Sequence, residues 1–165
     1  MKWKVGDTTI TKITEIVFPE FSDVIPAATP EVVKKVEWLF PHFVTPEGAL
    51  TVSIHSLIVE TPGATLVVDT CIGNDRERGS FEVMSNLSTS YLDDMIAAGY
   101  NPDGIDYVLC THLHLDHVGW NTRLVDGKWV PTFPKASYLM GQKELDLFGN
   151  IDENTEDDFF KVQRT

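Results

Sequence analysis

The chain has 165 residues, of which 42% are hydrophobic and 23% charged, and its formal net charge is −12 at pH 7. This length and composition suit one soluble globular domain with a real core. A field of that sign repels phosphate backbones and anionic membranes, which counts against nucleic-acid or membrane partners. No apolar run approaches membrane-spanning length.

In chain order, Trp3 to Val17 predicts a β-hairpin turning at Gly6-Asp7, its second arm the threonine- and isoleucine-rich run from Thr8. A proline-punctuated loop follows. Thr29-Pro30-Glu31 then carries helix-start signals: a hydroxyl N-cap, a proline at the first helical position and an acid in the first turn. Val32, Val33, Val36, Leu39 and Phe40 predict one apolar face of a short helix ending at Pro41. Residues 52–59 predict a buried strand, because both alternating sets are nearly apolar. Pro62-Gly63 turns the chain back into Leu66-Val67-Val68, an antiparallel return that delivers Asp69 at its end.

Ser90 is expected to open the next helix with Asp93 as its capping partner. Leu92, Met95 and Ile96 are expected to form its inner face, and Gly99 its cap. Asn101-Pro102-Asp103-Gly104 turns into a strand over residues 105–110. Farther on, Asp126-Gly127 predicts a tight hairpin turn, residues 136–140 a strand and 142–148 a helix. Thr155 is a candidate cap for a last helix through Phe159, Phe160 and Val162. The acids Asp152, Glu153, Glu156, Asp157 and Asp158 read as solvated surface. Met1 to Asp7 has no apolar h-region, so no signal peptide is expected. Cys71 and Cys110 lie beside predicted core strands and read as buried free thiols, which fits a cytoplasmic location.

The chemistry concentrates in His112-Leu113-His114-Leu115-Asp116-His117, which holds three of the chain's five histidines. Imidazole and carboxylate suit Zn²⁺, and also iron or manganese. Two histidines spaced by one residue on an extended segment point the same way and can grip one ion. Asp116 and His117 follow around the next bend and can reach a second ion. The other histidines, His42 and His55, read as satisfied or partly buried side chains.

This hexapeptide resembles the signature of the metallo-β-lactamase superfamily, His-x-His-x-Asp-His after a strand. The resemblance runs from about residue 50 to 148 and takes in the strand ending at Asp69 and the helix over residues 91–99. Within the superfamily it is closest to the lactonase-like and organophosphate-hydrolase-like branch, although Trp120-Asn121 stands where many relatives have a second glycine. The fold so implied is a mixed α/β (α+β) one: the N-terminal half of an αββα metallo-β-lactamase sandwich, a mixed sheet with flanking helices. Residues 1–165 would be a single incomplete domain whose second half is missing. The resemblance implies a third histidine for the first ion, a bridging aspartate and a last histidine. No histidine follows His117 in this chain.

What the resemblance further implies is a hydrolase with two Zn²⁺ per complete domain. A hydroxide bridging the two ions would attack an ester, lactone or related small-molecule bond. His112, His114, Asp116 and His117 would be ligands, with Asp116 also orienting the nucleophile or protonating the leaving group. Asp69 would hold the far N–H of a ligating histidine, and Thr111 would steady the loop through its hydroxyl. Trp120, Trp129, Phe133 and Tyr138 are expected either in the core or as an apolar wall for substrate. The alternative is a non-catalytic half-domain that binds metal weakly, forms a homo-oligomer, or pairs with a chain supplying the missing half.

Overall fold

A computed structural model describes residues 1–19, 21 and 25–151. The last helix expected from Thr155, and the acidic segment around it, lie outside the described residues. The chain divides into two units, Met1–Glu15 with His55–Thr165, and Ile16–Ile54.

The larger unit is organised by one six-stranded sheet. Its strands are β1 (Lys2–Val5), β2 (Thr8–Phe18), β3 (Val52–Glu60), β4 (Thr65–Val68), β5 (Tyr107–Leu109) and β8 (Ser137–Leu139), in that order across the sheet. The β1/β2 and β3/β4 pairs are antiparallel, as the turns at Gly6-Asp7 and Pro62-Gly63 predict. By contrast, β4/β5 and β5/β8 are parallel, so the sheet is mixed. The hairpin β6 (Thr122–Val125) and β7 (Lys128–Pro131) forms a separate two-stranded sheet. Its turn residues Asp126 and Gly127 have φ of 50° and 75°, the positive pair that a two-residue hairpin of this twist requires.

Among the described residues the smaller unit has one short helix, α1 (Pro30–Val33), and the larger unit has three, α2 (Tyr91–Ala97), α3 (Leu115–Val118) and α4 (Gln142–Gly149). The core collects Ile58, Val67, Ile72, Tyr91, Met95, Val108 and Phe133, each fully buried. Cys71 and Cys110 are buried and free, as expected. Among the described residues, no helix is long and apolar enough to cross a membrane.

Two helix expectations need correction. In the smaller unit, α1 stops at Val33, and a separate 3₁₀ turn covers Glu37–Leu39. Val32, Val33 and Val36 are β-branched and stiff against the preceding turn, so a run this rich in valine propagates poorly. Val33 is buried, whereas Val32 and Phe40 of the expected apolar face are exposed.

In the larger unit, α2 starts after Ser90 as expected, but Asp93 does not cap it. The Ser90 hydroxyl instead donates to Asp94 Oδ2 at 2.7 Å. The buried face is Tyr91 with Met95, one turn apart, and Ile96 is exposed. The large Tyr91 ring sets the helix's rotation by stacking on Trp120 with centroids 5.4 Å apart. Gly99, at φ 97°, ends the helix as expected, with Tyr100 N–H donating to the Met95 carbonyl.

Candidate metal centre

The parallel strands determine where the polar cluster forms. In register, Val68 of β4 lies opposite Leu109 of β5, and Leu109 opposite Leu139 of β8. Three carboxyl ends are therefore level at one sheet edge, the position at which parallel sheets characteristically bind ligands. Asp69 leaves the first, the histidine segment leaves the second, and the approach to α4 leaves the third. Asp69 N–H donates to Leu109 O at 2.8 Å and Cys110 N–H to Leu139 O at 2.9 Å, which carries the pairing past the strand ends.

His112 and His114 lie on the bend after β5, and Asp116 and His117 on the single-turn helix α3. The rings gather closely: His112 to His117 at 3.8 Å and His112 to His114 at 4.5 Å between centroids. Asp69 stands at their base. Its Oδ1 accepts Thr111 N–H at 2.7 Å, and its Oδ2 accepts the Thr111 hydroxyl at 2.7 Å. His117 Nδ1 lies 2.8 Å from the same Oδ2, and His112 Nδ1 lies 3.2 Å from Thr111 Oγ1.

The Thr111 hydroxyl is committed to Asp69, so the network is satisfied when both imidazoles carry their proton on Nδ1. Their Nε2 atoms are then the ones left to bind. His117 Nε2 is 3.3 Å from Asp116 Oδ2.

The charges follow from this geometry. Burial by itself would lower the His117 pKa, but hydrogen bonds and charge from Asp116 and Asp69 outweigh it and raise the pKa to about 9. Burial would raise both carboxylates, yet Asp69 is held below its usual range by His117 and Thr111, and Asp116 by His117 and His112. Burial, reinforced by the neighbouring imidazoles, lowers His112, so that ring is neutral near pH 7 and its lone pair available.

The donors suit Zn²⁺ chemically: neutral imidazole nitrogen, a carboxylate, and a carboxylate-held far N–H. They are few, however. Among the described residues, no three histidine, cysteine, aspartate or glutamate side chains are arranged as a group able to hold an ion.

Several supporting residues escape sequence reasoning. Glu15 of β2 accepts Trp120 Nε1–H at 2.6 Å, Ile72 N–H at 2.7 Å, Gly73 N–H at 3.1 Å and the Thr89 hydroxyl at 3.3 Å. Burial raises its pKa although those four bonds oppose the rise. A signal was present: Glu15 is in phase with the buried Thr11 and Ile13 on a period-two strand, so it points inward.

Glu144, in the first turn of α4, accepts Leu113 N–H at 3.1 Å, between the two histidines of the motif. The Phe148 ring meets the His114 ring edge-on at 6.2 Å. Asn121 accepts the Thr70 hydroxyl at 2.9 Å, and its carbonyl accepts from Tyr138 Oη at 3.1 Å.

The aromatic expectation divides. Trp120 and Phe133 belong to the core, whereas Trp129 is 44% exposed with the Arg76 guanidinium 4.0 Å over its ring. Tyr138 is half-buried. His55 is partly buried on β3, as expected, and His42 is exposed with its ring against Phe43.

Solved structures share this fold. The dizinc quorum-quenching lactonase AidC superposes with a TM-score of 0.68 at 21% identity, over 92% of this chain and 48% of its own. The hydrolase AbOPH gives 0.67 at 22%, over 99% and 53%. A probable metal-dependent hydrolase from Staphylococcus aureus gives 0.64 at 20%, over 98% and 59%. The chain thus spans about half the length of the solved structures it matches. Comparison with curated proteins finds no match. The family model described as the metallo-beta-lactamase superfamily matches residues 50–157, so the chain belongs to that superfamily.

Proposed function

We propose that this chain is the metal-binding first half of a hydrolase that opens an ester, lactone or related small-molecule bond. His112, His114, Asp116 and His117 would be its ligands. The observation that carries the reading is the hydrogen-bond relay at Asp69, which ties down Nδ1 of His117 directly and Nδ1 of His112 through Thr111. Both rings then turn Nε2 toward a cation, which at neutral pH displaces the proton that His117, with a pKa of about 9, carries in the metal-free chain. Zn²⁺ is the proposed ion, two per complete domain, with iron or manganese able to use the same donors. Such ions, when bound, supply a hydroxide nucleophile near neutral pH and neutralise charge growing on the substrate oxygen.

This chain's residues would do the rest. Asp116, whose carboxylate is ionised at rest, would orient the nucleophile, accept the nucleophile's proton as it attacks and pass that proton to the leaving group. Asp69 would keep the histidines in one tautomer. The lactonase and hydrolase neighbours support a neutral or lipophilic substrate, as does the net charge of −12. Hydrolysis of acyl lactones, aryl esters and phosphotriesters, with and without Zn²⁺, tests the reading in a product of the gene that carries the remaining ligands. Replacing His112 and His114 together by alanine should abolish metal-dependent turnover, and unchanged turnover would refute the reading.

A second reading has one observation behind it: the described donors form no group of three around an ion. The 165 residues alone would then bind metal weakly and depend on a further segment, a second copy or a partner chain for the other ligands. Calorimetric titration of the isolated chain with Zn²⁺ tests this reading, because a tight site within these residues would exclude it.

A further inference from the structure

Two chain segments are laced together beneath the histidines. Thr70 N–H donates to His117 O at 2.7 Å, Trp120 N–H to Thr70 O at 2.8 Å, and Gly119 N–H to Cys71 O at 2.7 Å. One end of the lace is the Asp69–His117 pair. At the other end, Glu15 grips both sides, taking Ile72 and Gly73 N–H from one segment and the Trp120 indole N–H from the other.

The lace needs such a grip. Asp69 and Cys71, neither of them glycine, sit at φ of 55° and 52°, a left-handed conformation that persists only where the surroundings enforce it. Gly119 passes so close to Ile72 that a Cβ there would overlap the Ile72 carbonyl. Four donors leave the Glu15 carboxylate little capacity for substrate or proton chemistry.

We propose that Glu15 is a positioning residue for the histidine cluster: by clamping the Ile72-Gly73 backbone to Trp120, it fixes the distance between Asp69 and His117. The proposal goes beyond the hydrolase reading, and only its metal readout rests on that reading.

The experiment compares Glu15→Gln with the unsubstituted 165-residue chain. Glutamine keeps the shape but turns an amide donor toward groups that are themselves donors. The first readout is the exchange rate of the His117 Nδ1 proton, followed by nitrogen-edited NMR without metal. The second is Co²⁺ affinity from the visible absorption of the bound ion. With the far-UV circular dichroism retained, we expect exchange about ten-fold faster and Co²⁺ binding about ten-fold weaker, the lower end of what orienting partners contribute.

Thr11→Val is the control. It removes the Thr11–Tyr100 bond of 2.8 Å on the same strand and should move neither readout. Unchanged exchange and affinity in Glu15→Gln, or equal changes in Thr11→Val, would overturn the proposal. If Glu15→Gln does not fold, Trp120→Phe takes its place. It keeps an aromatic ring beside Tyr91 while removing the indole donor and part of the ring's volume, and should shift both readouts the same way by a smaller factor; no shift overturns the proposal. If the unsubstituted chain binds no Co²⁺, as the second reading of the function allows, His117 exchange alone decides the role of Glu15.

Discussion

The two sides of the histidine cluster are built differently. Around His117 the chain has invested heavily: Asp69 accepts three hydrogen bonds, the segments behind it are laced, and the half-buried Glu15 carboxylate closes the far end. Around His114 the described contacts include, from α4, the Glu144 carboxylate on Leu113 N–H and the edge of the Phe148 ring. The first side rests on short, charge-assisted bonds that are hard to rearrange. The second rests on an eight-residue helix without a side-chain N-cap bond. Among the described contacts, those around His117 are the shorter and the more strongly charged.

The comparison can be broken most forcefully at Gly119. Gly119→Ala places a methyl group onto the Ile72 carbonyl, and we expect a loss of about 3 kcal/mol in urea unfolding, the upper range for forced overpacking. A loss below about 1 kcal/mol would mean that the lace yields easily.

Asp69→Asn comes next. Asparagine tolerates the left-handed backbone at this position but cannot accept from three donors, so a cost of about 2 kcal/mol is expected. In the same variant His117 should titrate well below about 9 by NMR. An unmoved His117 would make Asp116 its sole electrostatic partner.

The weaker side should respond less. Glu144→Ala removes one bond to Leu113 N–H and should cost about 1 kcal/mol in the same unfolding assay. It should broaden His114 resonances and leave those of His117 alone. Equal broadening of both rings would erase the distinction between the two sides.

The comparison also has a signature in pH. In the metal-free chain the His117 pKa is raised in the folded state, from 6.5 to about 9. The stability it contributes is therefore fully present below pH 6.5 and is lost as pH rises toward 9. Asp69 and Asp116 have the opposite sign: their contribution is present above 3.8 and is lost as pH falls below it. Unfolding in the presence of a chelator should thus show greatest stability on the acid side of neutrality. A monotonic rise through pH 9 would contradict this assignment of charge.

Much of this was legible without coordinates. Both hairpin turns, the antiparallel return into Asp69, α4 and the gathering of the motif histidines follow from period-two alternation, turn residues and close sequence spacing. The length of α1 and the rotation of α2 were not legible. The first depended on how far a valine-rich turn propagates, and the second on a ring contact between Tyr91 and Trp120. The aromatic residues could not be divided between core and surface either, because nothing local distinguishes buried Trp120 from exposed Trp129.

The sequence by itself determined the donor chemistry: which side chains can hold an ion, and that three of the histidines lie within six residues of one another. Such spacing is a local property, fixed by the chain's own geometry. Only the tertiary structure decided what holds those donors in place. Glu15 finds the Trp120 indole across 105 positions, and Asp69 meets His117 across 48. Partnerships at that separation have no local signature. They exist because the sheet brings remote backbone segments together, and because a buried donor or acceptor left without a partner costs more than its bond returns.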